Sequence, residues 1–223
     1  MFTTIFIDID NTLLDFDKCA KDSIKRACDF FSLAYPKNLF AEFIKTNDIL
    51  WERIEKGTLT KEELHKIRFE LVFKNAGINF DGQTFEKKFR EYLRESHEKV
   101  DGADELLFYL SKKYRIYAVS NAAHKEQATR LKKAGLNKYF SGVFVSDEIG
   151  AQKPNKEFFD ECFKRIPNCK ISETVMIGDS LTADISGGKE YGLFTVWFNF
   201  KNTGAKSTAD VTVNRLTDIK KYL

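Results

Sequence analysis

Two aspartates, Asp8 and Asp10, stand two residues apart at the end of the stretch TTIFIDID. β-Branched and aromatic residues crowd that stretch and predict a strand over residues 3–9. An unpaired buried carboxylate is costly, so acids that end an apolar strand need partners or a task. Neighbouring carboxylates can divide the work of nucleophile and proton carrier when their surroundings differ. Three further stretches offer matching chemistry. YAVSNAAH carries Ser120 and Asn121, SDEIGAQKPN leads to Lys153 and Pro154, and VMIGDSLTAD carries Gly178, Asp179, Ser180 and Asp184.

The elements that must position these residues are short apolar strands, predicted at 115–120, 143–146, 174–177, 194–198 and 211–213. Helices of about 10–15 residues separate most of them, which implies parallel strands joined by helical crossovers and covered on both faces. The fold class is therefore α/β, with a Rossmann-like, doubly wound parallel sheet. Residues 1–15 and 99–223 form this core, and residues 16–98 are an all-helical insertion. One inserted helix carries Phe40, Phe43, Ile44, Leu50, Trp51 and Ile54 on a single stripe. The next opens on a capping-box pattern at Thr60–Glu63, and a third is predicted over 84–98. Residues 199–209 read as a surface loop.

In an open parallel sheet, chemistry gathers at the carboxyl ends of the strands. All four clusters lie there. Singly, each has an ordinary explanation: a solvated turn, a helix N-cap, a lysine ahead of a helix, a glycine turn. Four unrelated turns would not be expected to supply matching chemistry at successive strand ends.

In order and spacing, Asp8-Ile9-Asp10-Asn11-Thr12, Ser120-Asn121, Lys153-Pro154 and Gly178-Asp179 with Asp184 resemble the motifs of the haloacid dehalogenase superfamily. Most members of that superfamily are phosphatases. The resemblance spans essentially the whole chain, and the helical insertion resembles the family's small cap. It implies that Asp8 is a nucleophile forming an aspartyl-phosphate. Asp10 would protonate the departing oxygen and then deprotonate the attacking water. Asn11, Ser120, Asn121 and Lys153 would bind the phosphoryl group, with Ser120 and Asn121 near a helix N-terminus.

A phosphate dianion near Asp8, Asp179 and Asp184 meets several like charges, each pair costing about 4 kcal/mol at ~4 Å and an effective dielectric near 20. One lysine does not offset that, whereas an oxygen-liganded divalent ion such as Mg²⁺ does. By resemblance, Asp8 and Asp179 hold it through carboxylates and Asp10 through its main-chain carbonyl, with Asp184 in support. Phosphoryl transfer needs this kind of positioning and charge neutralisation.

The stretches NDILWERIEKGTLT and IRFE resemble the cap of the bacterial pyrimidine 5′-nucleotidases, which act on nucleoside monophosphates such as UMP, dUMP and TMP. Asn47, Trp51 and Arg68 interrupt or border apolar stripes there. They are candidate specificity residues: a planar base could stack on Trp51 while Asn47 or Arg68 reads its polar edge. The alternative is a polar residue at the edge of a buried face. Hinges between insertion and core would fall at residues 14–17 and 99–102.

Rivals on the same core are a phosphatase or phosphomutase for sugar phosphates or phosphoglycolate. A dehalogenase has no need of the acid two residues after the nucleophile. A phospho-aspartate signalling module lacks both that acid and a large helical insertion. Composition sets outer limits. The chain has 223 residues, 43% of them hydrophobic, and a formal charge of +3 with its basic residues dispersed. This argues against nucleic-acid or membrane-surface partners, and no apolar run approaches the roughly 20 residues needed to span a bilayer. A small phosphate ester is the expected partner. Oligomeric state is left open by the sequence. No signal-peptide pattern opens the chain. Cys19, Cys28, Cys162 and Cys169 form no CxxC pair, so reduced cysteines and a cytoplasmic location are expected.

Overall fold

The computed structural model describes all 223 residues. In chain order the elements are β1 (Thr4–Ile7), α1 (Phe16–Phe30), α2 (Leu39–Glu55), α3 (Lys61–Ala76), α4 (Gly82–Glu95), α5 (Ala103–Ser111) and β2 (Arg115–Ser120). Then come α6 (His124–Lys133), β3 (Gly142–Val145), α7 (Ser146–Ile149), α8 (Lys156–Arg165), β4 (Thr174–Gly178), α9 (Gly187–Tyr191), β5 (Phe194–Phe198) and β6 (Val211–Val213). They divide into two compact units, one built from Met1–Asp15 with His97–Leu223, the other from Phe16–Ser96.

The first unit holds a six-stranded sheet in the order β3-β2-β1-β4-β5-β6, with every pairing parallel. The expected α/β architecture is present. Residues alternate between its faces as strand geometry requires. Ile5, Ile7, Ile116, Ala118, Val175 and Ile177 feed one apolar cluster, while Phe6, Tyr117, Val119 and Met176 feed another. Both faces are therefore covered, which is why these strands read as continuous apolar runs rather than alternating ones. Chain order reverses at β1, which lies between β2 and β4. That is the topological switch point where open α/β sheets place their ligands.

The first strand is shorter than its composition predicts. It ends at Ile7, not Ile9. The Ile9 carbonyl accepts from the amides of Thr12, Leu13 and Leu14, so the chain curls into a tight loop there. Asn11 adopts a left-handed conformation with φ +57°, which asparagine tolerates better than most residues. Asp8 and Asp10 thus stand on a loop. The third strand likewise ends at Val145, where Ser146 begins a short helix, and α4 runs from Gly82 to Glu95 rather than over 84–98.

The second unit is all helical, α1 to α4. Thr60 and Glu63 form the capping box at the start of α3, and Asp81 caps α4 by accepting from the Thr84 amide at 2.7 Å. Phe43, Phe69, Phe73, Phe85 and Phe89 meet in its core, with ring centroids 4.6–5.6 Å apart. A smaller cluster gathers Leu50, Ile54, Leu59 and Leu64, with half-buried Trp51 against it.

Candidate active site

The loop after β1 emerges between β2 and β4, and the Asp8 amide donates to the Ile177 carbonyl of β4 at 2.9 Å. This brings Asp8 beside the residues that leave β2 and β4. Lys153 is 1% exposed and uses all three of its N–H bonds inside the protein. Its Nζ donates to Asp8 Oδ1 at 2.8 Å, to Asp184 Oδ1 at 2.6 Å and to the Val119 carbonyl at 2.9 Å. Burial alone would lower the lysine's pKa, but Asp184 and Asp8 outweigh it and hold the ammonium above its usual range. Lys153 is therefore a fixed charge set against Asp8 and Asp184, with its three N–H bonds directed to partners within the protein.

Asp8 is pushed up to about 7, chiefly by burial, against the pull of Lys153 and with Asp184 adding to the rise. Burial followed by the Asp8 and Asp184 charges also pushes Asp179 well above the carboxylate range. Carboxylate oxygens of Asp8, Asp179 and Asp184 all lie within 4.8 Å of one another. When ionised, the three acids carry two more charges than Lys153 returns. Oxygen donors and a double negative excess fit a hard divalent cation.

Local structure explains how each acid is held. Gly178 ends β4, and a Cβ there would fall 2.1 Å from Asp184 Oδ2, so only glycine admits the Asp184 side chain. The Ser180 amide donates to Asp184 Oδ2 at 3.1 Å. Trp197, on neighbouring β5, donates its indole N–H to the Asp179 carbonyl at 2.9 Å. Asn121 spends its side chain on the lysine segment: Oδ1 accepts from the Lys153 amide at 2.9 Å and Nδ2 donates to the Lys153 carbonyl at 2.8 Å. It clamps Lys153 in place. Ser120 is 3% exposed at the end of β2, and Asn11 turns the loop that carries Asp8 and Asp10.

The chain matches the model of the haloacid dehalogenase-like hydrolase family over residues 2–192. It belongs to that family. Over 196 residues it is 33% identical to the pyrimidine 5′-nucleotidase PynA of Streptococcus pneumoniae, covering 87% of this chain and 83% of that one. Identity to the pyrimidine 5′-nucleotidase YjjG of Escherichia coli is 30% over 195 residues, covering 87% and 85% of the two chains. The crystal structure of the HAD-hydrolase YfnB from Bacillus subtilis superposes with a TM-score of 0.93 at 34% identity, covering 100% of this chain and 98% of that one. That protein is described as bound to magnesium, with interdomain movement.

Within this family framework, the sequence pointed to Asp8, Asp10, Ser120, Lys153, Asp179 and Asp184 but missed what holds Asp10. Gln127 and Arg130 of α6, both buried, each donate to its carboxylate at 2.5 Å. Their signal was present: two polar side chains share the buried face of α6 with Leu131. Glu86 was missed in the same way, as an acid on the stripe of Phe85, Phe89 and Leu93.

Glu86 decides where two of the cap candidates stand. Arg68 is 3% exposed and donates to Glu86 through Nε at 3.1 Å and Nη2 at 2.6 Å, and to Asn47 Oδ1 through Nη1 at 2.8 Å. Its guanidinium also lies over the Phe43, Phe69 and Phe89 rings, 5.0–5.9 Å from their centroids. Asn47 and Arg68 thus come together, but inside the helical unit and bound to one another. Trp51 lies elsewhere, on the smaller cluster. Of the three, Trp51 alone keeps a partly exposed side chain.

Proposed function

We propose that the protein hydrolyses phosphate monoesters through an aspartyl-phosphate on Asp8, and that its substrates are pyrimidine nucleoside 5′-monophosphates. One observation carries the reading: two carboxylates two residues apart are given different partners. Asp8 is buried against Lys153, while Asp10 is held through both oxygens by Arg130 and Gln127. Different surroundings are what separate a nucleophile from a proton carrier.

In the first step an Asp8 carboxylate oxygen forms a bond to phosphorus as the ester P–O bond breaks. The leaving oxygen keeps the electron pair and takes a proton from Asp10. In the second, Asp10 removes a proton from water, whose oxygen attacks phosphorus and expels Asp8 as a carboxylate. Ser120 and the main chain around Asn11 and Asn121 donate to the phosphoryl oxygens, and Lys153 fixes Asp8 for attack. Mg²⁺, held by Asp8, Asp179 and the Asp10 carbonyl with Asp184 in support, would supply neutralising charge for the phosphoryl group.

The pyrimidine assignment rests on the two nucleotidase relatives and on the cap stretches around Trp51. Phosphate release should be measured on nucleoside monophosphates, sugar phosphates and an aryl phosphate, with Mg²⁺ and with excess chelator. Pyrimidine nucleotides should lead the panel, chelation should stop turnover reversibly, and Asp8→Asn should be inactive but folded. Sugar phosphates turned over much faster would overturn the nucleotide assignment. Full activity in chelator would overturn the metal.

A further inference from the structure

Gln127 and Arg130 form one buried device, and the direction of its hydrogen bonds says what it does. Arg130 Nη1 donates to Asp10 Oδ1 at 2.5 Å and to Gln127 Oε1 at 3.3 Å. With its oxygen turned to Arg130, the Gln127 amide presents its nitrogen to the site. Nε2 donates to Asp10 Oδ2 at 2.5 Å and to Ser120 Oγ at 3.1 Å, which uses both amide hydrogens. The reverse orientation would set the amide oxygen against the Asp10 carboxylate, acceptor against acceptor, in a residue with no exposed surface.

The consequence reaches Ser120. Its Oγ accepts from Gln127 and also from the Ala122 amide at 3.1 Å. A hydroxyl oxygen has two lone pairs, and both are taken, so its one hydrogen is available only for donation. We infer that Gln127 and Arg130 are positioning residues that lock Ser120 as a hydrogen-bond donor and hold Asp10 by both oxygens, so that one buried amide sets the anion donor and the proton carrier together. The inference rests on the phosphatase reading above.

The test separates positioning from mere support of the fold. Gln127→Met keeps the volume and removes the donors. Leaving-group release in the first turnover is then followed with p-nitrophenyl phosphate, whose phenolate departs without protonation, and with UMP, whose alkoxide needs a proton from Asp10. The UMP rate should fall about 10- to 100-fold more than the p-nitrophenyl phosphate rate, a partial loss of the roughly 10²–10⁴-fold that a positioned acid supplies. Inhibition by inorganic phosphate should also weaken about 3- to 10-fold as the Ser120 hydroxyl loses its fixed direction. Arg130→Lys, which retains a cation but not the span from Asp10 to Gln127, should shift the same ratio to a smaller degree and serves if Gln127→Met does not fold. Equal losses on both esters, or no loss, in the folded variant overturn the inference while leaving the phosphatase intact. A wild-type protein inactive on both esters with Mg²⁺ present overturns the phosphatase reading first, and this one with it.

Discussion

Gly178→Ala is the smallest change that should disable the site from outside its chemistry. The new methyl would lie 2.1 Å from Asp184 Oδ2, 2.3 Å from its Cγ and 2.7 Å from its Cβ. Asp184 has little freedom to retreat, being 1% exposed and pinned by Lys153 at 2.6 Å and the Ser180 amide at 3.1 Å. Driving it off Lys153 breaks one half of a buried charged pair, which costs about 3–5 kcal/mol. Lys153 keeps Asp8 at 2.8 Å, so the lower end applies, about 3 kcal/mol. For a chain of this size that corresponds to a melting temperature lower by about 6–12 °C. Turnover should fall with it, because Lys153 orients Asp8. Thermal melts by circular dichroism and phosphate release would be measured on Gly178→Ala, Asp184→Ala and the double variant. In the double variant the methyl meets no carboxyl group, so the effects of the two changes should be far from additive. A Gly178→Ala protein that melts within about 2 °C of wild type and keeps its turnover would refute the argument that Asp184 cannot move.

Trp197→Phe keeps an aromatic ring on β5 but removes the N–H that fixes the Asp179 carbonyl. Calorimetric titration should show Mg²⁺ affinity weakened about tenfold, with a melting temperature lower by a few degrees because the buried indole and its hydrogen bond are lost. Asn121→Ala releases both main-chain hydrogen bonds on Lys153, and kcat should drop roughly 10- to 100-fold through misplaced geometry. In the helical unit, burial would raise the Glu86 carboxyl, but Arg68 and His65 together hold it below its ordinary 4.5. Because the folded value is the lower one, the stabilisation is complete above pH 4.5 and is lost as pH falls through the depressed folded value. Acid unfolding followed by circular dichroism should therefore steepen below pH 4.5 in the wild type and flatten in Glu86→Gln, which would already be less stable at neutral pH.

What could be read in advance and what could not divide along a physical line. The strands of the core were legible because burial on both faces leaves only apolar, β-branched and aromatic residues tolerable, and that signal is local. The end of β1 was not legible. Ile9 continues the apolar run, yet its carbonyl is claimed by three amides beyond it, and composition does not encode that closure. Partners were the least legible feature where no motif marked them, since Asp10 and Gln127 lie 117 residues apart. A polar residue on an apolar stripe announces that a partner exists without saying which. Arg68 and Glu86 both made that announcement, and so did Gln127 and Arg130, and in each case the need was met inside the chain. Asp179 is the exception that points outward. Its carboxylate forms no ion pair with any lysine or arginine, it stands within 4.8 Å of two other acids, and its pKa is driven upward by burial and by those neighbours. A fold that gives Arg68, Asp10 and Lys153 partners within hydrogen-bond reach, yet gives this acid only the more distant pull of Lys153, fits the proposal that a cation from solution meets Asp179.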